Sequence, residues 1–508
     1  MIKSSFVKLT LIAVVIMFSA FSEGNKVFSS VQIFPAPEGI EPSKDYKVFV
    51  DDKPVFCYPT WRLDNQKTTN QINNRKVSGL SFAIFDFSRP VKVRLELRSG
   101  LISSESQVRV LPATLGITPS VQGNTIEFTL NSPGNVTIDP SGDSQNALHL
   151  FSNFPETDIP DPHDPNVIYY GPGVHNIESV VLKSGQTLYL AGGALVRVSP
   201  PTTGGTYKAS GMEYNSAEPA VLLNESNVTI RGRGIISGMR SFTDMKRFNL
   251  IRGNDVENVT IRDIVVMEGA NWEVHFRGCS NVRIEGLRVL GFFENSDGIA
   301  VEGGLSKGST DVIVRNSFVH NSDDGLEIKS RGKFSVKNVR FENCQVWSDS
   351  GTPMGLTGEI EQPVENITWK GITVIHYPSF PASFPEGRAA ILIMAQGGGR
   401  VRNILFEDIV VESNIGLRPA VRITNEKKKW NGAAVYPGTK FSEISGVTLR
   451  NVNMRNFTNS ASTDKLLFKN GDPHTLHEVV LENVRINGKQ VTATDNRIEN
   501  LNAHLIIR

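Results

Sequence analysis

A short phrase recurs along the second half of the chain. It consists of an asparagine or a substitute for it, a run of alternating apolar and polar residues, and a turn. The copies begin at Asn227, Asn258, Asn281, Asp311, Asn338, Asn366, Asn403, Gly446 and Glu478. Successive copies are 31, 23, 30, 27, 28, 37, 43 and 32 residues apart. Such a period, with no helical segment, predicts a parallel β-helix whose coils bury their apolar faces on one another.

The repeat argues against one alternative fold and predicts one further feature. Leucine-rich repeats have similar periods, but their leucine spacing and their helical segment are missing here. The asparagines should form an internal ladder at the turns, which is a structural role.

The part of the chain before the repeats has a different pattern. Residues 28–154 contain short alternating runs broken by turns, such as the run from Val91 to Leu97. Period-two runs at this spacing are typical of an antiparallel β-sandwich. The proline- and aspartate-rich segment 155–166 is interpreted as a linker. The predicted fold class is therefore all-β: a small antiparallel β-sandwich, followed over residues 167–508 by a right-handed parallel β-helix.

The N-terminus and the composition limit where the protein works and what it binds. Lys3 and Lys8 precede an apolar run from Leu9 to Phe18, which is short for a membrane anchor. We interpret residues 1–22 as a cleaved signal peptide and expect a secreted or periplasmic protein, since no later segment is long and apolar enough to span a membrane. Lysine plus arginine number 53 against 52 acidic residues, so no nucleic-acid partner is expected. Three cysteines build no disulfide framework. A monomer is expected.

Two nearly identical segments carry the acidic residues of interest. The first reads Asn-Ser-Asp-Gly-Ile over residues 295–299, and the second reads Asn-Ser-Asp-Asp-Gly-Leu over residues 321–326. Aligning their glycines places Asp297 and Asp324 in one column, one coil apart, with Asp323 as an inserted residue. A bulge or a kink at the strand edge is needed to turn both Asp323 and Asp324 outward. Three carboxylates then crowd one small surface, where their mutual repulsion favours acid/base chemistry.

Other residues are expected at the same edge of the solenoid. Counting along the repeats brings acids and aromatic residues into line there, as in a sugar-binding groove. The residues expected to contact substrate are Asn271, Trp272, Lys329, Asp349, Glu359, His376, Tyr377 and Arg388. His275 could face the groove or be buried. Clustered carboxylates could also bind calcium.

Three neighbouring acids suit glycoside hydrolysis with inversion. One protonated carboxyl group donates to the leaving oxygen, and ionised carboxylates on the other side of the bond activate water. Packing like charges together raises the pKa of one of them, which keeps it protonated near neutral pH. This chemistry requires no cofactor and no metal.

At these residues the chain resembles the β-helix glycoside hydrolases of families 28 (polygalacturonases) and 49 (dextranases and isopullulanases). The resemblance covers the repeats, and the leading β-sandwich looks more like family 49. It implies that Asp323 is the general acid and that Asp297 and Asp324 hold the nucleophilic water. Polygalacturonases carry Gly-His-Gly on the next coil and a later Arg-x-Lys that binds the uronate. This chain has no Gly-His-Gly on the matching coil. It also has no Arg-x-Lys at the later position, since Arg331-Gly332-Lys333 comes too early.

These departures favour a neutral, dextran-like polysaccharide over polygalacturonate as substrate. Two other functions remain open. A polysaccharide lyase on the same fold would need a basic proton acceptor, for which Lys329 is the candidate. A glycan-binding β-helix without catalysis would need no acid at all. The loops 377–388 and 424–440 are expected to decide sugar identity.

Overall fold

A computed structural model describes most of the chain. It covers residues 31–63, 70–72, 75–142, 144, 146–198, 206–209, 212–215, 219–238, 248–293, 295–377, 388–412, 419–425, 440–455, 465–472 and 475–508. The predicted signal peptide and most of the two predicted specificity loops lie outside these residues. Among the described residues, no helix has the length and apolar character needed to cross a membrane.

The N-terminal strands form two sheets. Their bounds are β1 Val31–Ile33, β2 Tyr46–Val50, β3 Lys53–Val55, β4 Cys57–Leu63, β5 Asn70–Ile72, β6 Arg75–Phe87, β7 Val91–Leu97, β8 Arg109–Leu111, β9 Ser120–Gln122, β10 Thr125–Leu130, β11 Asn135–Asp139 and β12 Leu148–Asn153. Short 3₁₀ turns span Glu105–Gln107 and Ala113–Leu115. One sheet has seven strands and the other has five. The pairing is antiparallel, except that β12 runs parallel to β6.

The remaining strands wind into the solenoid. Their bounds are β13 Val167–Tyr170, β14 Gly173–Ile177, β15 Val180–Leu182, β16 Thr187–Leu190, β17 Ala194–Val198, β18 Thr206–Ala209, β19 Met212–Asn215, β20 Val221–Leu223, β21 Val228–Gly232, β22 Ile235–Ser237, β23 Ile251–Asn254, β24 Glu257–Arg262, β25 Val265–Met267, β26 Val274–Arg277, β27 Ser280–Glu285, β28 Arg288–Leu290, β29 Ile299–Glu302, β30 Ser309–Arg315, β31 Phe318–Asn321, β32 Leu326–Ser330, β33 Val336–Glu342, β34 Gln345–Ser348, β35 Met354–Ile360, β36 Val364–Lys370, β37 Thr373–His376, β38 Ile391–Ala395, β39 Arg400–Val411, β40 Val421–Asn425, β41 Glu443–Met454, β42 Leu466–Asn470, β43 Leu476–Ile486, β44 Lys489–Gln490, β45 Ile498–Leu501 and β46 Leu505–Ile507.

Apart from β18 and β19, which form an antiparallel pair, these strands build two long sheets, one of 21 strands and one of 11. A coil such as residues 274–290 gives one strand (β26) to the shorter sheet and two (β27 and β28) to the longer one. Inward-facing residues such as Val274, Ile299 and Leu326 are buried in one continuous apolar core. The predicted fold class, a parallel β-helix behind a β-sandwich, is confirmed, because stacking coils bury what one coil cannot.

The asparagine ladder exists, but the prediction that it is internal was wrong. Asn281 donates to Asn258 across 2.7 Å, and Asn366 donates to Asn338 across 3.0 Å, on the exposed side of the longer sheet. The first seven residues that begin the repeats have φ between 51° and 63°. Asparagine tolerates this left-handed conformation better than most residues, and the turn directs its side chain outward.

The sandwich packs on the longer sheet of the β-helix through a mixed apolar and polar interface. Tyr58, Phe82 and Phe151 of the sandwich belong to the same buried cluster as Phe318 and Trp347 of the solenoid. Cys57 is buried in the sandwich core, and Cys279 and Cys344 are buried in the solenoid core; all three are free thiols. The shorter sheet, which carries the carboxylates, lies on another side of each coil.

Candidate active site

The site lies on the outward face of the shorter sheet. In β32, Leu326 and Ile328 face the core, so Glu327 and Lys329 face outward. The register pairs Ile299 of β29 with Leu326 of β32. Asp297 and Asp324 each precede these strands by two residues, and the Gly298 amide donates to the Asp324 carbonyl across 2.8 Å. The two aspartates are therefore in register on neighbouring coils.

A buried asparagine holds the turn that presents Asp323 and Asp324. The Asn321 side-chain amide donates to the backbone carbonyls of Asp323 and Asp324, each at 2.8 Å, and to that of Ser296 at 3.0 Å. The Asp-Asp pair lies in a bend between β31 and β32 and not in a regular strand. The alternation of a strand therefore does not apply to it. Both carboxyl groups reach the same cation, Arg388.

Arg388 bridges the aspartate pair. One guanidinium nitrogen contacts Asp323 Oδ1 at 2.8 Å, and the other contacts Asp324 Oδ1, which also accepts from the Thr352 amide at 3.1 Å. These acids raise the pKa of Arg388 above its ordinary value, although burial acts in the opposite direction. The side chain of Asp323 is 21% exposed and that of Asp324 only 3%. Asp323 is therefore the member of the pair that a substrate can reach.

Lys329 is the second cation of the site. Its Nζ lies 3.2 Å from Glu327 Oε2, 3.2 Å from Glu359 Oε2 and 3.5 Å from Asp297 Oδ2. Glu359 reaches it because the register between β32 and β35 shifts after Ile328, which inserts residues into β35. Glu359 has φ 43°, a left-handed conformation that is unusual for glutamate.

Burial and neighbouring charge perturb the acids in different directions. Burial, followed by the charge of Glu327, raises the pKa of Asp297 well above its ordinary value. Burial also raises the pKa of Glu327. Burial opposes ionisation of Glu359 as well, but Lys329 and Arg331 outweigh it and lower the pKa of that carboxyl group. Lys329 keeps its proton, because Glu327, Glu359 and Asp297 raise its pKa against the effect of burial.

The acids do not fit a calcium site. Oxygens of Asp297, Asp324 and Glu327 lie within 4.8 Å of one another, which is close enough to surround an ion. Lys329 Nζ already supplies positive charge to Asp297 and Glu327. An ammonium group in that position would repel a divalent cation.

A second group of paired acidic and basic side chains lies beside Lys329. Glu302 accepts from Arg331 at 2.5 and 2.8 Å and lies 2.9 Å from His275 Nε2. Trp272 packs under both cations, with Lys329 Nζ 4.5 Å and the Arg331 guanidinium 5.0 Å from its ring centre. Burial lowers the pKa of His275 to about 4. Val274 and Phe276 lie in the solenoid core, so the alternation of β26 turns His275 to the outward face, where its ring is neutral near pH 7.

The structure brings together most of the residues expected from sequence but not all. Asp297, Asp323, Asp324, Trp272, Lys329, Glu359 and Arg388 lie in this cluster. Asn271 is half-buried next to Trp272.

Three expected substrate contacts were wrong. Asp349 is fully buried against Arg62 and His320, and His376 is bonded to Ser144, both at the interface with the sandwich. Tyr377 is buried in the solenoid core. The counting failed because insertions between coils displace these residues from the column of Asp324; the Gly325 amide donates to the Thr352 carbonyl, so Thr352 follows Asp324 in that column.

The sequence did not predict three further charged residues of the site, Glu327, Glu302 and Arg331. The signal for Glu327 is present in the alternation of Leu326, Glu327, Ile328 and Lys329, which places the two charged residues on one face of a strand directly after the aspartates.

Comparison with known proteins identifies the family of this chain. The family model described as "Glycosyl hydrolases family 28" matches residues 236–505, which is more than half of the chain, and the chain belongs to that family. The match includes the Asp297 and Asp323-Asp324 segments.

The relatives are distant. A polygalacturonase from Medicago sativa is 24% identical over 293 residues, which cover 49% of this chain and 65% of that protein. Rhamnogalacturonase A from Aspergillus niger is 21% identical over 296 residues, which cover 58% of each chain. The matches thus span less than two thirds of these relatives. Dex49A from Penicillium minioluteum shares the fold, with a TM-score of 0.62 at 13% identity over 94% of this chain and 96% of that one. The resemblance to families 28 and 49 is confirmed.

Proposed function

We propose that this protein is a secreted glycoside hydrolase that cleaves a polysaccharide or oligosaccharide with inversion. Asp323 donates a proton to the leaving oxygen, while Asp297 and Asp324 hold the attacking water. The observation that carries the proposal is the convergence of the three aspartates around Arg388 and Lys329. Asp323 is the accessible acid of the three, as a donor to a glycosidic oxygen must be, and the two buried acids suit a confined water.

The charges of the site support a neutral sugar at the point of cleavage. Six carboxyl groups, on Asp297, Glu302, Asp323, Asp324, Glu327 and Glu359, surround Lys329, Arg331 and Arg388. Each of these three cations already contacts at least two of the acids. A uronate carboxylate would therefore enter a site with an excess of negative charge. The names of the relatives point instead to galacturonate-containing chains, so both kinds of glycan belong in the substrate screen.

The lyase alternative loses its candidate base. A lyase needs an unprotonated base to remove the proton next to the uronate carboxyl group. Lys329 stays protonated because three acids raise its pKa. Hydrolysis requires no such base.

The test is a screen of purified protein against dextran, pullulan, galactan, polygalacturonate and rhamnogalacturonan, with proton NMR of the first product anomer. We expect an inverted anomer and a loss of 10²–10⁴-fold in kcat/KM for Asp323→Asn, about the contribution of a general acid. Asp311→Asn, an exposed ladder residue on the longer sheet, is the matched control and should keep full activity. A retained anomer, or normal turnover by Asp323→Asn, would contradict the proposal. Binding without turnover would favour a glycan-binding role.

A further inference from the structure

Glu327 is an acid that the proposed reaction does not use. It lies on the outward face of β32, where the register pairs it with Ala300 on the preceding coil and Gly355 on the following coil. Neither neighbour has a charged side chain. Glu327 therefore adds a carboxyl group to the site that the adjacent coils lack at the same place.

The two carboxyl oxygens of Glu327 differ in their hydrogen-bond partners. Its Oε2 accepts from Thr357 Oγ1 at 2.7 Å and lies 3.2 Å from Lys329 Nζ. Its Oε1 is buried, and no group in the part of the chain that the structure describes donates a hydrogen bond to it. Carboxyl oxygens of Asp297 and Asp324 lie within 4.8 Å of a carboxyl oxygen of Glu327. A buried carboxylate oxygen without a donor is costly, and a proton held between two carboxyl groups removes that cost.

The surrounding charges cannot neutralise every acid. Glu327 faces Lys329 on its own strand, Asp297 and Asp324 on the adjoining turns, and Glu359 on β35. Farther out are Asp323, Arg388, Arg331, Glu302 and His275. Lys329 provides one positive charge for three acids, and Arg388 is already ion-paired with Asp323 and Asp324. Burial and mutual repulsion accordingly raise the pKa of both Asp297 and Glu327.

We propose that Glu327 is a positioning residue that shares one proton with Asp297, which leaves Asp324 to accept the proton of the attacking water. This inference rests on the proposed hydrolysis. The Thr352 amide and Arg388 donate to Asp324, which gives a carboxylate the partners it requires. In the reaction, the water oxygen bonds to the anomeric carbon as the glycosidic C–O bond breaks. Asp324 takes the water proton, Asp323 gives its proton to the leaving oxygen, and the shared proton stays in place.

The discriminating variant is Glu327→Gln, which keeps the shape and an acceptor for Thr357 but cannot share an acidic proton. Asp297 then loses the negative neighbour that raises its pKa and ionises at lower pH. Because the reaction keeps the shared proton in place, activity should be lost where Asp297 loses that proton. We therefore expect the alkaline limb of the kcat/KM profile, which reports the free enzyme, to move to lower pH by about one unit or more. A uniform loss of activity with an unchanged profile would show a merely structural role and overturn the inference.

A second readout does not depend on substrate. The infrared difference spectrum at pH 7, wild type minus Glu327→Gln, should contain the carbonyl band of a protonated carboxyl group. Glu257→Gln is the matched control, since Glu257 is an exposed acid paired with Lys307 on the longer sheet and should lose no such band. Absence of the band for Glu327→Gln would overturn the shared proton. If wild type cleaves no glycan but the band is present, the proposed reaction fails while the shared proton stands.

Discussion

The ion pair between Arg62 and Asp349 joins the sandwich to the solenoid, and its removal should destabilise the protein measurably. Asp349 Oδ1 lies 3.3 Å from Arg62 Nη2 and accepts from Trp347 Nε1 at 2.9 Å, and Oδ2 lies 3.1 Å from His320 Nε2. Arg62 and His320 lower the pKa of Asp349 from 3.8 to about 2, although burial opposes this.

The magnitude follows from that difference in pKa. That lowering corresponds to about 2 kcal/mol of stability at neutral pH. Because the pKa is lowered by folding, this contribution is present above the unfolded value near 4 and is lost as pH falls through about 2. Asp349→Asn also leaves the guanidinium of Arg62 without its buried counter-charge, so we expect a loss of about 3 kcal/mol at pH 7.

Calorimetry at pH 7 provides the assay. The entropy of unfolding is about 2.1 cal/mol/K per residue, so the free energy of unfolding of this chain changes by about 1 kcal/mol per degree near Tm. A loss of about 3 kcal/mol should therefore lower Tm by about 3 °C. The double variant Arg62→Met/Asp349→Asn removes both charges and should recover part of that loss. An unchanged Tm for Asp349→Asn, or a double variant that is less stable than the sum of both single changes, would refute the reasoning.

Two further predictions concern positions where the backbone is tightly packed or left-handed. A Cβ at Gly351 would overlap the backbone carbonyl of Asp323, so Gly351→Ala should displace the proposed acid and lower kcat/KM at least 10-fold; equal activity would show that the turn can move without consequence. Asn366 has φ 59° and donates to Asn338. Asn366→Ala should therefore cost about 1–2 kcal/mol in urea unfolding, and Asn366→Gly, which tolerates that φ, should cost less. A larger loss for glycine than for alanine would contradict a role for backbone conformation.

The periodic parts of this protein follow directly from its sequence. The repeat specified the solenoid, because each coil has an apolar face that only another coil can cover. The matching Asn-Ser-Asp segments also specified the register of Asp297 and Asp324, because residues that precede the same inward-facing strand position stack on adjacent coils.

Tertiary structure alone decided what happens where the period is broken. Insertions between coils moved Asp349 and His376 from the expected groove to the sandwich interface, and a register shift in β35 brought Glu359 over Lys329. The ion pairs of Arg388 and Arg62 could not be predicted from the sequence either, since each of these residues pairs with acids distant along the chain. Side-chain charge pairs depend on distances of a few ångströms, and a repeat length specifies position only to within a turn.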